Sequence, residues 1–538
     1  MRVLGRQQLS QISSRVGYQG DLRTLASHLD DDDDLGVEAA SNRLVFQCAG
    51  LIANASAAEI AATQAVIEQA TAAAVGRRQP PQTPAAAPQA FPPTLVGGTP
   101  DPTGLSAADA FSLHSRPGAR LKLVLDFDGN TLVGGVWNQA KGLQQIVTPA
   151  YDKDGNPSSF NAEEIEDIVA IWHAVAEDYA AFDVDVTTAD PGDAALAGVG
   201  QKVLIGGHSG DWYGNAGGVA YVSSFGTPGM PCFVFPRNLG PNYAKYVWEA
   251  VSHELGHTLG LFHDGLTPNP APGALYPDGT YYYSGHGNWA PIMGVGYYKD
   301  VTQFDAGEYP YSNNPQDDMG IIGRTLPRLP QQYGPSMASA TPLSSSGAGS
   351  TTAVINGILS MPNQPDWFSL SAEAGSVTLA VAVTAPFGQV TRANLNAVAA
   401  VYDAGGAVVT TLSPGGLDIP YSPVNLPRAG TYYVSVVGAA EGSPATGGYS
   451  SYGSLGFYSL TVSYTASTAP QQPQTPVNCV GYWSSFGPCD ASCNQVSTYV
   501  ITQAAANGGA QCPAAAGATS SQACSGAGVP ERRVLEAC

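Results

Sequence analysis

The stretch "VSHELGHTLGLFHDG", Val251 to Gly265, gathers three of the chain's eight histidines within eleven residues and sets two carboxylates among them. His253, Glu254 and His257 form an H-E-x-x-H pattern. Residues four apart on a helix sit one turn above each other on the same face, so two imidazoles spaced this way can share one zinc ion at about 2.1 Å each. The Glu between them lies where it can take a proton from zinc-bound water. A structural zinc site is closed by four protein ligands, whereas a catalytic one keeps a position for water, so one more protein ligand is required.

His263 and Asp264 compete for that third place. On a continued helix Asp264 returns to the His257 face but lies roughly 10 Å further along, and His263 points roughly 120° away. Neither works unless the helix stops. Gly260 supplies the stop, because Gly readily adopts the left-handed conformation that ends a helix, and the turned chain can bring His263 back to the metal.

Taken together, "HELGHTLGLFHD" resembles H-E-x-x-H-x-x-G-x-x-H-D, the zinc signature of metzincin metallopeptidases in the form used by the reprolysin or adamalysin-like branch. The resemblance implies His253, His257 and His263 as zinc ligands, Glu254 as general base, Gly260 as the turn, and Asp264 as a structural partner that does not ligate. It also implies a Met-turn beneath the metal, for which "WAPIMGVGYY" supplies Met293, thirty residues after His263. Some members of the family carry a Tyr two residues after this Met that contacts zinc or the oxyanion. Here the candidates for that contact, Tyr297 and Tyr298, stand further on. In this fold an edge strand ahead of the helix recruits substrate as an added antiparallel strand, and "GGVAYVSSF" (217–225) occupies that position.

The elements around the motif alternate. "RLKLVLDF", "FDVDVTT" and "KVLIGG" read as buried strands. "NAEEIEDIVAIWHAVAEDYAAF" reads as an amphipathic helix: Asn161 and Glu164 make a capping-box signal, and Ile165, Ile168, Val169, Trp172, Val175 and Tyr179 recur at helical spacing. A second helix, starting near Asn242, carries the motif. The order predicts an α/β catalytic domain with a mixed sheet over 111–335. Residues 336–466 change to short alternating strands with Gly and Pro turns, the pattern of an all-β sandwich, and resemble the pre-peptidase C-terminal domain of secreted peptidases. Residues 467–538 hold a linker and six cysteines, a small disulfide-rich module similar to a thrombospondin type-1 repeat. Trp483 is present there, but Phe486 replaces the second aromatic and "STYVITQ" carries no arginine, so a cation–π ladder and glycosaminoglycan binding are not expected. Residues 1–110 read as a pro-region, with an acidic run from Asp30 to Asp34, ending in a Pro-rich linker (79–104) that follows Arg77-Arg78.

Several signals are weighed down. Asp152, Asp154, Asn156 and Glu163 stand at EF-hand-like offsets, a weak calcium candidate, but Pro157 replaces the expected Gly and an Asx-rich turn is the better reading. "LVLDFDGNTL" is similar to the D-x-D-G-T start of haloacid-dehalogenase-type phosphatases, but the extra Asn130 breaks that pattern. It reads better as a strand end with an Asp-Gly turn. His173, His208 and His286 lie outside any ligand spacing. Cys48 in "LVFQCAGLI" lacks the charged context of a cysteine switch, in which a pro-region thiolate blocks zinc, and is read as a buried apolar residue; a disulfide with Cys232 would settle the parity. Asn54-Ala-Ser56 is a glycosylation sequon.

A net charge of −21 over 538 residues argues against nucleic acid as partner, and no run of about 18 apolar residues predicts a membrane span. The cysteine cluster points to an oxidising compartment and hence secretion, although "MRVLGRQQLSQISSRVGYQG" has no apolar core of signal-peptide length. The sequence therefore predicts a secreted zinc metalloendopeptidase made as a zymogen. Its substrate is protein or peptide, with matrix or cell-wall glycoproteins as candidates. The rival is a catalytically silent, protease-like adhesion protein acting through its β modules. A lesser alternative, a gluzincin, would take a distant Glu as third ligand.

Overall fold

The computed structural model describes residues 32–38, 43–52, 106–240, 242–269, 276–343, 349–383, 392–413, 417–467 and most of 478–523, with isolated positions before residue 32. Arg77-Arg78, the sequon, the Pro-rich linker, and Cys489, Cys493, Cys524 and Cys538 lie outside the described residues.

The first body is built on a seven-stranded sheet. Its strands are β1 (Leu35–Glu38), β2 (Arg43–Cys48), β3 (Leu121–Asp126), β6 (Val184–Thr187), β7 (Gly200–Ile205), β8 (Gly218–Tyr221) and β9 (Cys232–Val234); β4 (Asn130–Val133) and β5 (Gln145–Thr148) form a separate hairpin. The sheet order is β1-β2-β8-β9-β7-β3-β6. From β6 to β9 the pairs are parallel, and β8 reverses the direction. Parallel strands are buried on both faces and read as continuous apolar runs, which is why "LKLVLD" and "GQKVLI" show no alternation.

Two long helices pack against this sheet, α1 (Ala162–Asp178) and α2 (Ala244–Leu259). The capping box at α1 forms: Asn161 accepts from the Glu164 N–H, and the Glu164 carboxylate accepts from the Asn161 N–H. The predicted apolar face of α1 is buried, with Trp172 donating to the Val186 carbonyl at 2.9 Å. Every residue of α2 is buried, so this helix is held in place from all sides. After α2, a short parallel pair, β10 (Trp289–Pro291) and β11 (Val301–Gln303), frames the segment containing Met293.

The sequence places the N-terminal region apart from the catalytic body. The structure instead inserts part of it: β2 pairs antiparallel with β8, and β1 pairs with β2. The strand predicted as an edge is therefore flanked on both sides.

The second body is a nine-stranded, nearly closed β sandwich. It comprises β12 (Thr341–Pro342), β13 (Gly349–Leu359), β14 (Asp366–Ala372), β15 (Gly375–Ala382), β16 (Ala397–Asp403), β17 (Val408–Leu412), β18 (Ile419–Leu426), β19 (Gly430–Gly438) and β20 (Gly456–Ala466). Alternation along β14, buried at every second residue from Asp366 to Ala372, gives it a core face. The sandwich is not a bead on a string. Leu455 and Phe457 are buried in the first body's core, and Arg392 reaches Glu177 and Asp178 on α1.

At the C-terminus β21 (Val480–Trp483), β22 (Asn494–Gln503) and β23 (Thr519–Ala523) form a three-stranded antiparallel sheet. One disulfide, Cys479–Cys512, is described there. Trp483 meets Tyr499 edge-on at 5.2 Å. No helix among the described residues is long and apolar enough to cross a membrane.

Candidate metal centre

α2 ends where Gly260 predicts. Gly260 has φ 110° and ψ 9°, and its N–H reaches the carbonyls of Gly256 and His257. The Leu261 N–H returns to the Gly256 carbonyl at 3.0 Å, the closing pattern of a left-handed helix cap. The turn carries His263 back beside His253 and His257, with ring centroids 4.7 to 5.2 Å apart.

Each imidazole is oriented through its Nδ1 atom. His253 Nδ1 meets the Ile292 carbonyl at 3.0 Å, His257 Nδ1 the Leu261 carbonyl at 2.8 Å, and His263 Nδ1 the Asp32 carboxylate at 2.8 Å. A histidine whose Nδ1–H is donated this way presents its Nε2 lone pair, the arrangement that fixes metal-ligating imidazoles. Nε2 of His253 is buried with no hydrogen-bond partner, and burial holds the His253 and His257 imidazoles well below their ordinary pKa, hence neutral. One ligand atom from each histidine and the Cys48 thiol lie within 4.8 Å of one another, a cluster that can hold a metal ion. The donor set, three imidazole nitrogens and one sulfur, fits zinc.

Cys48 is the main correction to the sequence reading. Its Sγ lies 3.4 Å from His257 Nε2 and 3.6 Å from His263 Nε2. It is fully buried, as expected of an apolar cysteine, but the burial is against the histidine cluster. The missing charged context is present at a distance in sequence. Asp34 accepts from the Ala49 N–H at 2.9 Å and from the Tyr282 hydroxyl at 2.6 Å, and Asp32 holds His263. Nor is Cys48 in a disulfide with Cys232: both are free, and the Cys232 thiol faces the Lys202 carbonyl.

Glu254 is fully buried next to this cluster, and neither of its carboxylate oxygens has a hydrogen-bond partner. Burial pushes its pKa well above the carboxylate range. β8 packs directly on it: a Cβ added at Gly218 would come within 2.2 Å of Glu254 Oε1. Such a buried carboxyl costs stability, and the Cys48 thiol of the histidine cluster lies beside it.

Met293 packs against Gly256 of α2. A Cβ on Gly256 would meet its sulfur at 2.5 Å, so the Gly between the two motif histidines is what admits this side chain beneath them. The backbone around Met293 braces the site, with the Ile292 carbonyl on His253 and the Met293 carbonyl accepting from the Asp264 N–H at 2.9 Å. Asp264 is not among the clustered groups. One oxygen accepts from Asn314 Nδ2 at 3.1 Å, and its carbonyl accepts from the Tyr283 N–H.

The two tyrosines after Met293 divide. Tyr298 is half exposed, 51%. Tyr297 is buried and donates to the Leu51 carbonyl at 2.6 Å, three residues past Cys48. Among the described residues the tyrosine ring that meets the histidines is instead Tyr282, 4.3 Å from His263 between centroids. Sequence reasoning missed it, as it missed Asp32 and Asp34, because these residues are brought to the site by loops and by a strand about 200 positions away.

The weaker candidates are placed as follows. Asp152, Asp154 and Glu164, with Glu164 instead of Glu163, bring ligand oxygens within 4.8 Å of one another. Their oxygens already accept from the N–H groups of Gly155, Asn156, Lys153 and Asn161, as an Asx-rich turn would. Glu163 pairs with Lys153 at the surface. His286 accepts or donates between the Tyr283 hydroxyl and the Gly448 carbonyl, joining the two bodies. His173 is buried on α1, and His208 caps a short turn.

No protein-family model and no curated protein matches this chain. Solved structures do match, among them the crystal structure of the pre-peptidase C-terminal domain of collagenase from Bacillus anthracis, to which the chain is similar at 17% identity and a TM-score of 0.16, over 25% of this chain and 98% of that chain.

Proposed function

We propose that the chain is a secreted zinc metalloendopeptidase of metzincin type, here in its latent form. The observation that carries this reading is the convergence of His253, His257 and His263, each held through Nδ1, in one cluster with the Cys48 thiol, beside which the Glu254 carboxyl lies. His253, His257 and His263 would hold a zinc ion, which when bound would supply a Lewis acid for the scissile carbonyl and for a water molecule. Glu254 is the group that would take a proton from the attacking water and hand it to the leaving amine. Its burial suits a base that must hold a proton between the two steps, because a poorly solvated carboxylate is a stronger base than one in water. Gly260 and the Met293 segment keep the imidazoles in place without touching substrate.

In the latent form the Cys48 thiol, clustered with the three imidazoles, would be the fourth group to hold the metal and would keep water from it. The Asp32–His263 and Asp34–Tyr282 contacts pin the same segment to the site. Activation requires this segment to leave.

The test is Glu254→Ala in the chain freed of its N-terminal segment by limited proteolysis. Peptide hydrolysis should fall by about 10²-fold or more while zinc content by elemental analysis stays at one per chain. Undiminished hydrolysis by a clean preparation would sink the mechanism. Absence of hydrolysis in the parent enzyme, with zinc bound, would favour a silent binding protein.

A further inference from the structure

β2 does more than deliver a thiol. It runs antiparallel to β8 in strict register, Val45 to Tyr221, Phe46 to Ala220, Gln47 to Val219 and Cys48 to Gly218. The Val222 N–H donates to the Leu44 carbonyl at 3.1 Å, and the Gly217 N–H to the Cys48 carbonyl at 2.9 Å. These are backbone donors that any extended chain of the same direction can use. Side chains alternate in burial along the strand. Leu44, Phe46 and Cys48 are fully buried, whereas Val45 and Gln47 are partly exposed.

The seat of Phe46 is made of the site itself. Its ring stacks on His257 at 4.1 Å between centroids and 18° between planes, and meets Phe262 edge-on at 5.5 Å. Those two residues belong to the metal-binding helix and turn, so the seat persists when the N-terminal segment leaves. Beyond Cys48 the chain turns through Ala49–Leu51 and is no longer extended.

We propose that β2 is a template of the substrate. The cleft takes an extended peptide in the β2 direction and selects a large apolar side chain, aromatic above all, two residues before the residue that lies at the metal. An apolar side chain four residues before it is favoured through the Leu44 position, and the position just before the residue at the metal, that of Gln47, is tolerant. This rests on the peptidase reading above and names its substrate class. The template covers only the half of the substrate that precedes the cleaved bond, because the chain turns after Cys48.

The experiment uses the full chain carrying Cys48→Ala, zinc-loaded, and fluorogenic peptides built on "RLVFQ" joined to one common leaving half. The β2 strand stays on as a competitor and lowers all rates alike. Replacing Phe by Asp or Ala in the peptide should lower kcat/KM by about tenfold or more, the range of a lost side-chain pocket. Replacing Gln by Ala should change it by less than about twofold on the same basis. Equal rates for the Phe, Ala and Asp peptides would overturn the template while leaving the peptidase intact. Cleavage of none of them, with zinc bound and also after limited proteolysis has removed the N-terminal segment, would overturn the peptidase reading and the template with it.

A second readout needs no turnover. In the otherwise native full chain, Phe46→Asp should speed alkylation of Cys48, followed by peptide mapping, by about tenfold or more, whereas Gln47→Ala should leave it within about twofold. Equal protection of Cys48 in both variants would show that the Phe46 seat does not hold the strand, and would overturn the proposal.

Discussion

At the scale of single residues, the site turns on positions where only one side chain fits. Gly260 is the clearest. Its φ of 110° lies in the left-handed region, where any residue with a Cβ is strained by about 1–2 kcal/mol, and an added Cβ would also press on Ser223 Oγ at 3.2 Å. Gly260→Ala should lower the free energy of unfolding by about 1–2 kcal/mol, read by chemical denaturation. Because the turn aims His263 and its neighbour Leu261 holds His257, zinc affinity should also fall, by about tenfold as for misplaced supporting groups, read by competition with a chromophoric chelator. Unchanged zinc affinity would mean that His263 is placed by something other than this turn. Gly260 and His263 were legible in the sequence because the helix arithmetic is local. Cys48 was not. Its neighbours in sequence are apolar, and its role depends on Asp32, Asp34 and three histidines that only the paired strand brings near.

At the scale of elements, α2 carries the site and its support comes from outside its own domain. Arg392, in the segment leading to β16, is buried among Glu177 and Asp178 of α1, Glu249 of α2 and Thr302 of β11. Glu249 lies four residues before His253, one turn along the ligand helix. Glu249 is shared with Lys245 at 3.3 Å, but the two buried carboxyls of α1 have Arg392 as their counter-charge and are tolerable only while that cation is there. Arg392→Met keeps much of the volume and removes the charge, and should destabilise the chain by about 3–5 kcal/mol in denaturant unfolding. A loss below about 1 kcal/mol would show that these carboxyls are already protonated or solvated. The strand and helix boundaries of the first body were legible because periodicity and capping are written in consecutive residues, as Asn161 and Glu164 show. The docking of the sandwich was not, since Arg392 is an isolated charge in its sequence neighbourhood and nothing local says what it pairs with. The N-terminal hairpin failed to show for the same reason: β2 alternates as a strand, but its partner β8 stands about 170 residues away.

At the scale of the whole molecule, the two bodies share one core, and acid should act at their junction. His173 on α1 is buried, with its ring 6.1 Å from that of Phe457 in β20. Burial, and then the Arg392 charge, lower its pKa from 6.5 to about 3. The folded state thus refuses a proton that the unfolded chain accepts. A histidine depressed in this way contributes stability that is complete above pH 6.5 and drains away as pH falls from there toward 3, at up to about 1.4 kcal/mol per pH unit. Glu177 works in the opposite sense. Burial raises it from 4.5 to about 7, so its contribution is full below pH 4.5 and is lost as pH rises to 7. The two terms oppose each other between about pH 4.5 and 6.5, and the raw stability curve there should be flat from this pair. The difference between the parent chain and His173→Gln isolates the histidine: the variant should gain on the parent by about 1.4 kcal/mol for each unit of pH below 6.5. Denaturant unfolding of both chains at several values between pH 4 and 7.5 measures it. Parallel curves would mean that His173 takes up its proton inside the folded protein, and that the junction between the two bodies opens to water.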